Sequence, residues 1–216
     1  MSKACIFDLD GTIGNTLDSM VYSVNLTLCE MGFPEISRQQ CQEFVGNGAR
    51  VLMEKALDAA GDLGASRIEE GMQIYGRIFD DNCTYHVTPC DGVLQMLKEL
   101  KRRGVRLAVL SNKPHIQAVK VVHAIYGDGV FDWVQGQKDD IPRKPNPAGV
   151  FCVAEKLGIS PDECMYVGDS EVDVKTGMNA SMKTIAVTWG FRTKEELIAA
   201  GAQYMIDRAE ELLQYL

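Results

Sequence analysis

The chain has 216 residues, 46% hydrophobic and 24% charged, with a net charge of −8, enough for one large domain or a core with a smaller insert. The acidic balance argues against a nucleic-acid partner, which needs clustered Lys and Arg. No apolar stretch reaches the roughly 18–20 residues of a membrane helix. Seven cysteines at 5, 29, 41, 83, 90, 152 and 164 show no CxxC pair or zinc spacing, so reduced thiols in a cytoplasm are expected. Met1-Ser2-Lys3 leads directly into an apolar run, so no signal peptide is expected.

That run, Ala4 to Phe7, reads as a buried strand ending at Asp8-Leu9-Asp10-Gly11-Thr12. Side chains on a strand repeat every second residue, so Asp8 and Asp10 are expected to share a side. Two carboxylates so close need a shared proton or a cation, which points to a chemical site. Helix-spaced apolar positions then occupy 17–32, 37–45, 49–61 and 66–81, with Gly-rich breaks between them. The chain leaves this helical unit near Val87-Thr88-Pro89.

From there, strands and helices alternate. Helices are expected at 93–103, 116–126, 148–157 and 172–179, and strands at 107–110, 133–135, 164–167, 184–187 and 204–206, before a C-terminal helix. This pattern gives a three-layer, doubly wound parallel-sheet α/β core of Rossmann type, with ligands at the carboxyl ends of its strands. The core comprises 1–14 and 84–216, and residues 15–83 form an inserted helical cap. Four polar groups fall at strand ends or just beyond: Asp8–Thr12, Ser111-Asn112-Lys113, Lys144, and Gly168-Asp169-Ser170 with Asp173. All four should converge on one site.

Taken together, these motifs resemble the haloacid dehalogenase superfamily: the DxDGT of 8–12, Ser111-Asn112, Lys144 and the GDxxxD of 168–173. The resemblance implies that Asp8 attacks a phosphoryl group to give an aspartyl-phosphate. Asp10 would protonate the leaving oxygen and then activate water. Magnesium would be held by Asp8, the Asp10 carbonyl and Asp169, with Asp173 behind them orienting Lys144 or a metal-bound water. Ser111, Asn112 and Lys144 would hold the phosphoryl oxygens, and the turn at Gly11 and Thr12 would bring backbone amides to the phosphate.

Ser111-Asn112-Lys113-Pro114 and the segment Val45-Gly46-Asn47-Gly48 followed by 51–57 are similar to phosphoglycolate phosphatases. Their resemblance implies a small phosphorylated acid as substrate, with Asn47 and Arg50 as cap contacts. Arg50 is equally well read as a solvated helix-face residue, and Lys113 as a substrate contact or an exposed loop lysine. Asn15 stands where the family usually carries an acid. The expected partner is a small-molecule phosphate ester, with no nucleic acid and no membrane, and the protein a monomer or dimer. Rival readings are a pyrophosphatase or nucleotidase, a phosphohexose mutase of the same fold, and a non-catalytic binding protein. The second aspartate at Asp10 disfavours carbon–halogen cleavage.

Overall fold

A computed structural model describes residues 2–216. Six strands, β1 (Ala4–Phe7), β4 (Arg106–Pro114), β5 (Trp133–Gln137), β6 (Cys164–Gly168), β7 (Lys183–Val187) and β8 (Tyr204–Ile206), form one all-parallel sheet in the order β5-β4-β1-β6-β7-β8. Two further strands, β2 (Gly14–Asn15) and β3 (Thr88–Pro89), pair antiparallel. Winding thus runs outward on one side of β1 and returns on the other. This leaves the topological switch point at the carboxyl ends of β4, β1 and β6.

Strand β1 shows how the sequence builds three layers. Cys5 and Phe7 pack into one hydrophobic cluster, while Ala4 and Ile6 pack into another on the opposite face, as a period of two requires. The first cluster takes the apolar stripes of α5 (Val93–Arg102) and α6 (His115–Tyr126), and the second takes α7 (Ala148–Leu157). On the far side, α8 (Glu171–Asn179) and α9 (Lys194–Ala199) share a small cluster through Val174, Ala186 and Leu197.

The four helices α1 (Leu17–Glu30), α2 (Arg38–Phe44), α3 (Ala49–Ala59) and α4 (Ile68–Asn82) lie between β2 and β3. They are continuous with the first cluster through Leu28, Met53, Leu57 and Phe79. Helix α1 buries three hydroxyls, yet none is stranded. Ser19 donates to the Thr16 carbonyl, Ser23 to that of Ser19 and Thr27 to that of Ser23. The antiparallel pairing of Gly14 with Pro89 and Asn15 with Thr88 brings both connections of the helical unit side by side.

Three details differ from the sequence reading. The C-terminal segment, Ala209–Gln214, is a 3-10 helix. Its backbone bonds run i→i+3, such as Glu211 to the Arg208 carbonyl, the tighter pattern common in short terminal pieces. Helix α9, begun by a capping box in which Thr193 and Glu196 exchange bonds, lies outside the helices expected from the sequence. Likewise β2 and β3, each only two residues long, lie outside the expected strands.

Candidate active site

Asp8 follows directly on β1, and its amide still donates to the Val167 carbonyl (2.8 Å), so the strand's pairing with β6 aims its carboxylate. Lys144 Nζ donates to Asp8 Oδ1 (2.7 Å) and to Asp173 Oδ1 (2.8 Å). This ammonium reaches the site from the loop before α7. Asn112 fixes that loop, its Oδ1 accepting from Lys144 N (2.9 Å) and its Nδ2 donating to the Lys144 carbonyl (3.1 Å). Ser111 lines the same cavity, and its hydroxyl accepts from Lys113 N (3.2 Å).

Asp169 follows directly on β6 and is 1% exposed. Thr12 Oγ1 donates to its Oδ1 (3.0 Å) and Phe191 N to its Oδ2 (2.8 Å). Its neighbours leave no room for a side chain: a Cβ on Gly11 or Gly190 would collide with the Asp169 carboxylate. Gly11 also takes φ +83°, a conformation open mainly to glycine. Asp173 engages both its oxygens, one with Lys144 and the Tyr166 hydroxyl (3.0 Å), the other with the Ser170 hydroxyl (2.6 Å) and amide.

Carboxylate oxygens of Asp8, Asp169 and Asp173 lie within 4.8 Å of one another. One lysine balances three buried acids. Burial, opposed by Lys144 and reinforced by Asp173, Asp169 and Asp10, holds the Asp8 carboxyl well above its ordinary range. Burial and Asp173 push Asp169 up to about 7. Burial alone would lower the Lys144 ammonium, but Asp173 and Asp8 hold it well above the ordinary lysine value. The site is short of positive charge.

Asp10 opens on the same cavity as Asp8, but the two carboxylates have separate partners. Lys113 Nζ donates to Asp10 Oδ1 (2.6 Å), as does Thr16 Oγ1 (2.6 Å). The Lys113 side chain is 2% exposed and stands over the Phe79 ring, so this lysine is a buried member of the site. The sequence could not show it, because its cover comes from α4, more than thirty residues away.

A family model for haloacid dehalogenase-like hydrolases matches residues 5–187. The chain belongs to this family. It is 29% identical to phosphoglycolate phosphatase 1 of Pseudomonas aeruginosa, over 99% of this chain and 79% of that protein. Identity is also 29% with the phosphoglycolate phosphatase of Aquifex aeolicus, over 88% and 86% of the two chains. A solved structure from Lactobacillus delbrueckii subsp. bulgaricus superposes with a TM-score of 0.90 at 30% identity, covering 100% of this chain and 98% of that one. A predicted phosphoglycolate phosphatase from Haemophilus somnus gives 0.90 at 26% identity, covering 99% and 97%. The chain is thus a phosphatase of the haloacid dehalogenase superfamily, similar to phosphoglycolate phosphatases.

Some residues singled out in this family member stand elsewhere. Arg50 pairs with Glu69 (2.6 Å) and Glu54 (3.6 Å) on the helical unit's outer side, and neither it nor Asn47 lines the cavity. Gly11 N donates to the Gly14 carbonyl and Thr12 turns to Asp169, so both brace the site from behind. No helix among the described residues is long and apolar enough to cross a membrane.

Arg192, a residue outside the sequence motifs, joins core to helical unit. Its guanidinium pairs with Glu171 (2.9 Å) and donates to the carbonyls of Gln42 (3.2 Å) and Val45 (2.7 Å). Asn112 Nδ2 adds a bond to the Gly46 carbonyl (3.0 Å). These bonds hold the turn between α2 and α3 down over the cavity. Arg192→Ala should therefore lower kcat/KM by roughly tenfold, since loss of such bonds weakens closure. Hydrogen exchange should quicken at amides 45–49, and unchanged exchange there would refute the latch.

Proposed function

We propose that this enzyme is a magnesium-dependent phosphomonoesterase working through an aspartyl-phosphate, with a small phosphorylated acid such as 2-phosphoglycolate as substrate. The observation that carries the reading is the buried pair Asp8–Lys144 at a switch point that also gathers Asp10, Asp169 and Asp173. Residues 15–83 act as the cap in this reading, and β2–β3 as its hinge.

The donor set fits magnesium: hard carboxylate oxygens brought within 4.8 Å of one another and an excess of buried negative charge. Asp8, the Asp10 carbonyl and Asp169 would hold the ion, while Asp173 has both oxygens engaged by protein donors. When bound, the metal supplies positive charge to the phosphoryl oxygens and to Asp8.

The chain's own residues account for the rest. Asp8 Oδ2 is the nucleophile, and Lys144 keeps the carboxylate oriented through Oδ1. Lys144 and the Ser111 hydroxyl then face the charge that develops on the phosphoryl oxygens. Asp10, positioned by Lys113 and Thr16, gives a proton to the leaving oxygen and recovers one from the water that attacks the phospho-enzyme. The closed cap excludes bulk water during the first step.

Phosphate release from 2-phosphoglycolate, pyrophosphate, a mononucleotide and β-glucose 1-phosphate, with magnesium and with EDTA, tests this reading. The expected outcome is magnesium-dependent release that is fastest on 2-phosphoglycolate, with the metal also raising the Tm by several degrees. Turnover of another ester would refute the substrate, and metal-independent turnover would refute the cofactor.

A further inference from the structure

The cavity has two unlike walls. The core contributes carboxylates and lysines, whereas the helical unit contributes Met20, Val45, Ala49, Leu52 and Phe79 with the backbone of Gly46 and Gly48. Among the described residues, one polar side chain interrupts the helical wall: Tyr75, on α4. It lies four residues before Phe79, and the two rings stack with centroids 5.1 Å apart at 13°, which fixes where the phenol points.

Tyr75 is 2% exposed, yet its hydroxyl has no hydrogen-bond partner among the described residues. No fully buried side-chain oxygen or nitrogen among those residues is left unpartnered. The hydroxyl is therefore the part of Tyr75 that reaches open space, and the space it borders is this cavity. Lys113 approaches from the core, 5.1 Å from the centroid of the same Phe79 ring. One of its N–H groups serves Asp10, leaving others to donate. Burial holds the Tyr75 phenol protonated, with Asp10 near enough to reinforce it.

We propose that Tyr75 is a specificity-determining residue, its hydroxyl and the Lys113 ammonium together receiving a carboxylate on the leaving group of the substrate. The inference rests on the phosphatase reading and assigns the residues that select within it. Both groups offer donors, so they call for an acceptor, and the ammonium favours an anionic one. The surrounding apolar side chains offer nothing to the several hydroxyls of a sugar phosphate, which would be stranded on closure. A carboxylate one carbon from the ester oxygen satisfies both walls.

The test compares 2-phosphoglycolate with ethyl phosphate, which keeps the length and lacks the carboxylate. In Tyr75→Phe the preference for 2-phosphoglycolate should fall roughly 10-fold, chiefly through KM, because one hydrogen bond to a charged group is lost. A merely structural role would slow both esters alike, and that result would overturn the proposal. The unsubstituted enzyme gives a second measurement, free of any folding question: glycolate should inhibit competitively and glycolamide should not. Equal inhibition by the two, or no preference for 2-phosphoglycolate over ethyl phosphate, would also overturn it. If the unsubstituted enzyme hydrolyses neither these esters nor p-nitrophenyl phosphate, the phosphatase reading fails first and the subsite with it.

Discussion

Asp8→Asn should reduce phosphate release by on the order of 10^4-fold or more, because in the proposed mechanism Asp8 is the attacking carboxylate and an amide cannot replace it. The same change should leave the metal-free fold at least as stable at neutral pH. Asp8 is one of three buried carboxylates sharing a single ammonium, and Lys144 retains Asp173 at 2.8 Å when Asp8 loses its charge. The sign follows from linkage. Burial raises Asp8 in the folded state above its ordinary 3.8, so the fold favours the protonated acid. That stability is fully present below pH about 4 and is lost as pH rises through the folded pKa. The Asn variant cannot lose it. Urea unfolding in EDTA at pH 5 and pH 8 should thus show a smaller decline for Asp8→Asn than for the unsubstituted enzyme. A variant that is inactive because it is unfolded would show the reverse, and residual turnover within tenfold of the parent would remove Asp8 from the nucleophile's role.

Much of this site was legible because its residues sit at the ends of strands whose apolar runs are unmistakable. Asp8 after 4–7 and Asp169 after 164–168 owe their positions to the parallel sheet. A parallel sheet with helical crossovers brings such ends together whatever the intervening sequence. Ser111 and Asn112 lie inside β4, in its last four residues, where the register with β5 is interrupted. What sequence could not convey was the pairing of side chains across the two parts of the molecule. The Asp8–Asp10 repulsion pointed to a shared proton or a metal, but the fold also gives each acid its own lysine, Lys144 for one and Lys113 for the other. Lys113 looks like a loop lysine until Phe79 of α4 is placed over it. Arg192 follows β7 in an unremarkable stretch, and only the closed turn between α2 and α3 gives its guanidinium carbonyls to hold. Arg50, by contrast, sits beside the recognisable Gly46-Asn47-Gly48 segment but is engaged by Glu69 and Glu54. Position near a motif does not determine which way a helix turns its face. The two-residue strands carry too few residues for a periodicity to show, and the expected C-terminal helix differs only in being 3-10.

Lys144→Met should be the counterpart of Asp8→Asn, losing both activity and stability. Its side chain is 4% exposed and, among the described residues, is the one cation within bonding distance of Asp8 and Asp173. Methionine keeps the volume and removes the charge, leaving three buried carboxylates with nothing to balance them. Breaking a buried pair in this way costs about 3–5 kcal/mol, which for a chain of this size lowers the Tm by roughly 10 °C. Activity should fall about 10^2- to 10^3-fold, the usual consequence of removing a donor aimed at developing charge. Magnesium distinguishes the two losses. In the proposed site, a divalent cation held by Asp8, Asp169 and the Asp10 carbonyl would supply the missing positive charge to the fold, so it should restore part of the Tm. It cannot replace the Nζ that orients Asp8, so activity should stay low. Adding Asp173→Asn to Lys144→Met should recover further stability by removing an unpaired buried carboxylate, and still recover no turnover. If magnesium restored turnover along with the Tm, Lys144 would serve only to balance charge, and its place against the phosphoryl oxygens would be lost.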